Sequence, residues 1–170
     1  MDTRKSFITN RSLWLLFIIG CLLFESVALY YQYVLDFPPC VVCIHVRILL
    51  AALLIAAVFG LLLRKHLVPR IGALFVILSI CIVLVERSWL LLGTERGFTM
   101  GSCSFDLGLP DWLALDQWMP LIFKVHTTCG YTPIIAFGFS MAEILLVVFS
   151  LITFFVLCLL YMAFKRTKQT

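Results

Sequence analysis

Charge is what this chain has least of. Only 13% of its 170 residues are Asp, Glu, Lys or Arg, while 63% are hydrophobic. That leaves too little polar surface for a soluble domain of this length. Strict alternation is missing from every long apolar run, which argues against barrel strands and for helices. Also missing are internal repeats, low-complexity tracts, and the short apolar core with a small-residue cleavage site that marks a cleaved signal peptide. What is present is four apolar windows, roughly 13–31, 44–63, 71–92 and 141–164. Each is long enough to cross a hydrocarbon core of about 30 Å as a helix. The expectation is an all-α membrane protein, an antiparallel four-helix transmembrane bundle forming one integral domain over residues 1–170.

Acids are nearly absent from one side of this layout. Arg4, Lys5, Arg11, Arg64, Lys65, Arg70, Lys165, Arg166 and Lys168 make nine of the 13 basic residues there, against Asp2 alone. The other side carries Asp36, Glu95, Asp106, Asp111 and Asp116. The positive-inside rule then predicts that both termini are cytoplasmic. The net charge of +4 is mostly topology signal and attraction to anionic lipid, with no nucleic-acid partner implied.

Cysteine is absent from the inward loops too. Of seven cysteines, Cys21, Cys81 and Cys158 fall inside spans, where a small buried apolar side chain is the ordinary role. Cys40, Cys43, Cys103 and Cys129 all fall in the outward loops, about 32–43 and 93–140. An even count on the oxidising side reads as two disulfides, with three pairings open.

The second outward loop contains PDWLALDQWMPLIFKV, residues 110–125, where Trp112, Leu115, Trp118, Met119 and Ile122 recur at helical spacing. Too short to span and interrupted by Pro120, it reads as an amphipathic helix in the membrane interface or as a hydrophobic cap on the bundle.

The first outward loop ends in FPPCVVCIHVR, residues 37–47. Pro38 and Pro39 keep the chain extended, so Cys40 sits at or near the first helical position and Cys43 one turn on, on the same face. Helix N-terminal N–H groups favour a thiolate. Arg47, four residues beyond Cys43, is a permanent charge inside a span, costly and therefore a functional candidate. Glu25, inside the first span, is costly on the same grounds; contact with Arg47, proton shuttling and structural hydrogen bonding are its open roles. His45 points away from Cys43 and reads as an interfacial side chain. Three readings compete for the four cysteines: structural staples, a zinc site including His126, or a redox pair. A Cys-x-x-Cys loop closes too few residues to add much entropic stability, so the redox reading is favoured. Zinc is disfavoured by the oxidising compartment and the unequal spacing of Cys103 and Cys129. The staple reading is stronger for Cys103 and Cys129, which flank a long loop.

CVVCIHVR at 40–47, Glu25 within LLFESVALYYQYV, Cys103 and Cys129, and LPDWLALDQWMPLIF between them resemble the bacterial disulfide bond formation protein B (DsbB) family over nearly the whole chain. The resemblance implies a thiol:quinone oxidoreductase of the inner membrane with its active site on the periplasmic face, the long loop being periplasmic. It implies a relay: a DsbA-type thioredoxin-fold partner is oxidised by Cys103–Cys129, which Cys40–Cys43 reoxidises. The electrons then pass to ubiquinone or menaquinone, with Cys43 and Arg47 beside the ring. Family members carry Glu-His near the start of the long loop, the His linked to quinone. Here Glu95-Arg96 stands there and the loop before Cys103 is shorter, so Arg96 either faces the ring or is a solvated loop residue. Two alternatives stay beside this one. The first is a quinone enzyme like vitamin K epoxide reductase, or a paralogue with another partner. The second is a four-span scaffold with structural disulfides.

Overall fold

A computed structural model describes residues 11–98, 118–123, 125, 127, 134–136 and 138–167. Cys103, Cys129 and the 110–117 part of the amphipathic segment lie outside the described residues. Among the described residues are four long helices, α1 (Arg11–Tyr33), α2 (Val41–Leu62), α3 (Leu67–Glu95) and α5 (Met141–Thr167), and a one-turn helix, α4 (Pro120–Phe123), in the segment between the last two. All four long helices are apolar and long enough to cross a membrane. Each extends past its expected window at one end or both. With 29 residues, α3 is about 43 Å long, more than the roughly 30 Å the hydrocarbon requires. Its last turn therefore overhangs the Cys40 end of the bundle.

Packing follows chain order, α1 on α2, α2 on α3 and α3 on α5. The core holds Trp14, Leu53, Ile77, Cys81, Leu84, Phe149, Val156 and Leu159, all buried. Leu16, Ile19, Leu23, Ile55, Phe59, Ile82, Leu151 and Phe154 point outward. A helix apolar on every face belongs where the solvent is lipid. Gly60 lets α1 approach α2: a Cβ there would lie 1.9 Å from the Trp14 ring. Cys21 and Cys81 are buried and Cys158 is half-buried. At the seam between the first and last helices, Phe24 meets Phe149 with ring centroids 5.6 Å apart.

The connections explain the geometry of the Cys40 end. After Tyr33 the chain reverses through Asp36 in the left-handed region, φ 52°, a conformation Asp tolerates better than most residues. Phe37, Pro38 and Pro39 follow, and α2 begins. At the far side, Ile134–Ala136 and Phe139–Ser140 form a short antiparallel pair, β1 and β2, with Gly138 at φ 82° in the turn. This hairpin was not expected from the sequence; it delivers Ser140 to the start of α5. There Ser140 N–H donates to Glu143 Oε2 at 3.2 Å and Glu143 N–H donates to Ser140 Oγ at 3.4 Å. That reciprocal pair is a capping box, which satisfies the first-turn donors.

Candidate functional site

Cys40 is the N-cap of α2, directly before its first helical residue, as expected. Its backbone is extended, φ −88° and ψ 169°, and its Sγ accepts a hydrogen bond from Cys43 N–H at 3.4 Å. The Cys40 and Cys43 sulfurs are 2.9 Å apart. The dipole of α2 and its unshared first-turn N–H groups therefore point at this pair. Cys40 is 4% exposed.

Arg47 lies one turn below Cys43 and is 5% exposed. Its Nη1 donates to Gln32 Oε1 at 2.5 Å and to the Ile122 carbonyl at 3.1 Å, and its Nη2 donates to the Ala28 carbonyl at 2.9 Å. Every one of these acceptors is neutral. The guanidinium is held by the fork geometry arginine is suited to, and no carboxylate among the described residues touches it. Glu25 is its electrostatic neighbour one turn further along α1, but makes no direct ion pair with it. The Glu25 Oε1 atom is buried without a hydrogen-bond partner. Gln32 escaped the sequence reading, although Glu25, Ala28 and Gln32 at i, i+3 and i+7 mark one polar-interrupted face of α1.

An apolar cavity of about 400 Å³ opens beside the cysteines. α1 supplies Phe24, Val27, Ala28 and Tyr31, α2 supplies Cys40, Cys43, Val46, Arg47 and Leu50, and α5 supplies Met141, Ile144 and Leu145. Each set follows helical spacing, so three stripes converge on one space. Phe37, Pro38 and Pro39 close its outer end, and Leu91 and Thr127 complete the wall. A second apolar cavity of about 340 Å³ shares Phe24 and Leu50 with it and follows the α1–α5 seam inward past Cys21, Cys81 and Phe149. The first volume is within the usual range for small-molecule sites, and its mostly apolar wall carries few polar residues: Cys40, Cys43, Arg47, Tyr31 and Thr127.

The second outward loop reaches this site from above. Phe123 is buried against Val41 and Ile44, with Ile122 and Val125 beside it. Thr127 pairs with Cys40 as an isolated parallel bridge. Trp118 and Met119 are exposed. Within the amphipathic segment, Trp118 is helical, Met119 is not, and Pro120 opens a new turn, so the segment is interrupted at the proline as expected. Phe123 was not singled out from the sequence, and its apolar contact with α2 carries no local signal. Arg96 is not among the residues lining the cavity. Its guanidinium pairs with Glu143 and so joins the overhanging end of α3 to the capping box of α5.

A dithiol pair at the N-terminus of a membrane helix, opening on an apolar cavity and a buried cation, defines a class: multi-pass membrane proteins built for thiol–disulfide chemistry. Comparison with known proteins narrows the class. The family model described as "Disulfide bond formation protein DsbB" matches residues 10–159. The chain is 36% identical to disulfide bond formation protein B 2 of Pseudomonas aeruginosa over 92% of its own length and 90% of the relative's. It is 32% identical to disulfide bond formation protein B of Haemophilus influenzae, covering 97% and 94%. With its Pasteurella multocida counterpart it shares 31% identity over 96% and 93%. The chain belongs to the DsbB family, and is accordingly a membrane oxidoreductase of disulfide bond formation.

Proposed function

We infer that this protein is a thiol:quinone oxidoreductase of the bacterial inner membrane, both termini cytoplasmic, which reoxidises a DsbA-type periplasmic thioredoxin-fold oxidase. The observation that carries the reading is the cavity that Cys40, Cys43 and Arg47 share at the end of α2. An apolar ring can enter such a space from lipid, while a protein dithiol arrives from water, and the cysteine pair sits where the two meet.

The steps balance as thiol–disulfide exchanges. A thiolate of the reduced partner attacks the Cys103–Cys129 disulfide, at Cys103 by family resemblance, and forms a mixed disulfide. The partner's second thiol resolves it and leaves oxidised. Cys103 and Cys129 now hold two electrons and two protons. A loop thiolate then attacks the Cys40–Cys43 disulfide, and Cys40 is the sulfur on the loop side, because Thr127, two residues before Cys129, pairs with it. The second loop thiol resolves the resulting mixed disulfide at its loop sulfur, which re-forms Cys103–Cys129 and frees Cys40, and Cys43 has left as the thiolate. The α2 N-terminus and the Arg47 charge stabilise that anion, since the guanidinium's contacts among the described residues are with neutral acceptors. A bound ubiquinone or menaquinone would supply the Cys40–Cys43 dithiol with a two-electron, two-proton acceptor. Cys43 and Arg47 would hold its head, and the seam past Phe24 and Phe149 fits an apolar tail.

Quinone absorbance in detergent without oxygen tests this. Purified protein mixed with reduced DsbA-type partner is expected to reduce quinone mole for mole with partner oxidation, and Cys43→Ser to abolish it. Quinone that stays oxidised with every dithiol tried would leave only the scaffold with structural disulfides.

A further inference from the structure

Three contacts of the second outward loop fall in order along α2. The Ile122 carbonyl accepts from Arg47 at 3.1 Å. The Phe123 ring, 8% exposed, is buried against Val41 and Ile44. Thr127 pairs with Cys40. Arg47 lies seven residues into α2 from Cys40, about 10 Å deeper along the axis. From Ile122 at the level of the arginine, the contacts therefore rise along the same helix through Phe123 to Thr127 at the cysteine on its tip. A chain that only needed to cross the outer face would not bury an aromatic ring and a backbone acceptor at that depth. Trp118 and Met119, just before the turn, are exposed, so burial begins at the residues that touch α2.

We propose that Ile122 and Phe123 form a docking clasp that holds the loop on α2 and thereby delivers the chain leading to Cys129 to the Cys40 sulfur, with Phe123 the positioning residue. The proposal rests on the relay described above. It assigns a function to Phe123 that touches neither cavity nor sulfur: the ring sets the effective concentration of the loop dithiol at Cys40–Cys43. Electron transfer onward from Cys43 does not pass through it.

The test separates two routes into Cys40–Cys43, read by anaerobic quinone reduction in the detergent-purified full chain. The first route runs through the loop, from a reduced thioredoxin-fold partner. The second bypasses it, from dithiothreitol in a Cys103→Ser/Cys129→Ser background. Phe123→Ala is expected to slow the first route at least tenfold and to leave the second within twofold of its parent, and Phe123→Leu to restore most of the first. Loss of both routes together would make Phe123 a packing residue of the cavity and overturn the clasp. Loss of neither would overturn it as well. Failure of the parent proteins themselves to reduce quinone by either route would remove the relay reading, and the clasp with it.

Discussion

Arg47 shows how much one side chain can be asked to do when it is surrounded by neutral acceptors. Its donors are shared among Gln32, the Ala28 carbonyl and the Ile122 carbonyl, so α1, α2 and the second outward loop meet at one guanidinium. Carbonyl dipoles satisfy its N–H groups without cancelling its charge, and the remaining field falls on the Cys43 end of the cavity. Lysine would keep the charge but lose the planar fork, and three donors on a flexible stem cannot reproduce three fixed contacts. Arg47→Lys is expected to slow quinone reduction about tenfold, on the order of 1.4 kcal/mol of barrier, measured at saturating partner dithiol. An unchanged rate would mean that charge alone suffices and that the three contacts are incidental.

At the scale of elements, helix ends place the chemistry. The extended Pro38–Pro39 run ends in the N-cap conformation of Cys40, which starts α2 with its first-turn N–H groups aimed at sulfur. At the opposite wall, the Ser140–Glu143 capping box starts α5 and gives Arg96 its partner. The Ser140–Glu143 cap was not singled out from the sequence, and the carboxylate's second partner has no local signal at all, because Arg96 and Glu143 are brought together only by the packing of α3 against α5. Ser140→Ala is expected to cost about 1 kcal/mol in thermal stability. Arg96→Gln should cost less, since Arg96 is largely exposed and such pairs are worth roughly 0–1 kcal/mol. The same variant is expected to leave the KM for quinone within twofold; a tenfold rise would put Arg96 at the ring, as the family resemblance allows.

The whole molecule adds an opening that none of the helices has by itself. Side-chain contact between α1 and α5 at Phe24 and Phe149 leaves room along the seam, and both apolar cavities on the dithiol side lie there. A larger side chain at Leu145, which is buried in that wall, would occupy ring space without touching the loop. Leu145→Trp is expected to raise the KM for quinone tenfold or more while single-turnover exchange with a reduced partner keeps its rate. Stopped-flow partner fluorescence would follow the exchange. Equal losses in both measurements would show that the substitution disturbs the bundle and not the cavity alone.

Local pattern decided much of this protein. Apolar run length placed the four spans, because a bilayer imposes a minimum helix length. Two prolines, the Cys-x-x-Cys spacing and an arginine one turn on placed the dithiol at a helix tip, because helical periodicity and the φ of proline act over a few residues. Tertiary structure alone decided the partners of Arg47, the burial of Phe123 against Val41 and Ile44, the pairing of Thr127 with Cys40, and the space between α1 and α5. These join residues far apart in the chain, Arg47 and Ile122 by 75 positions, and backbone carbonyls and empty volume are features that no residue type announces. A guanidinium in the sequence says that a charge must be satisfied; which atoms satisfy it is settled by how the helices and the loop pack.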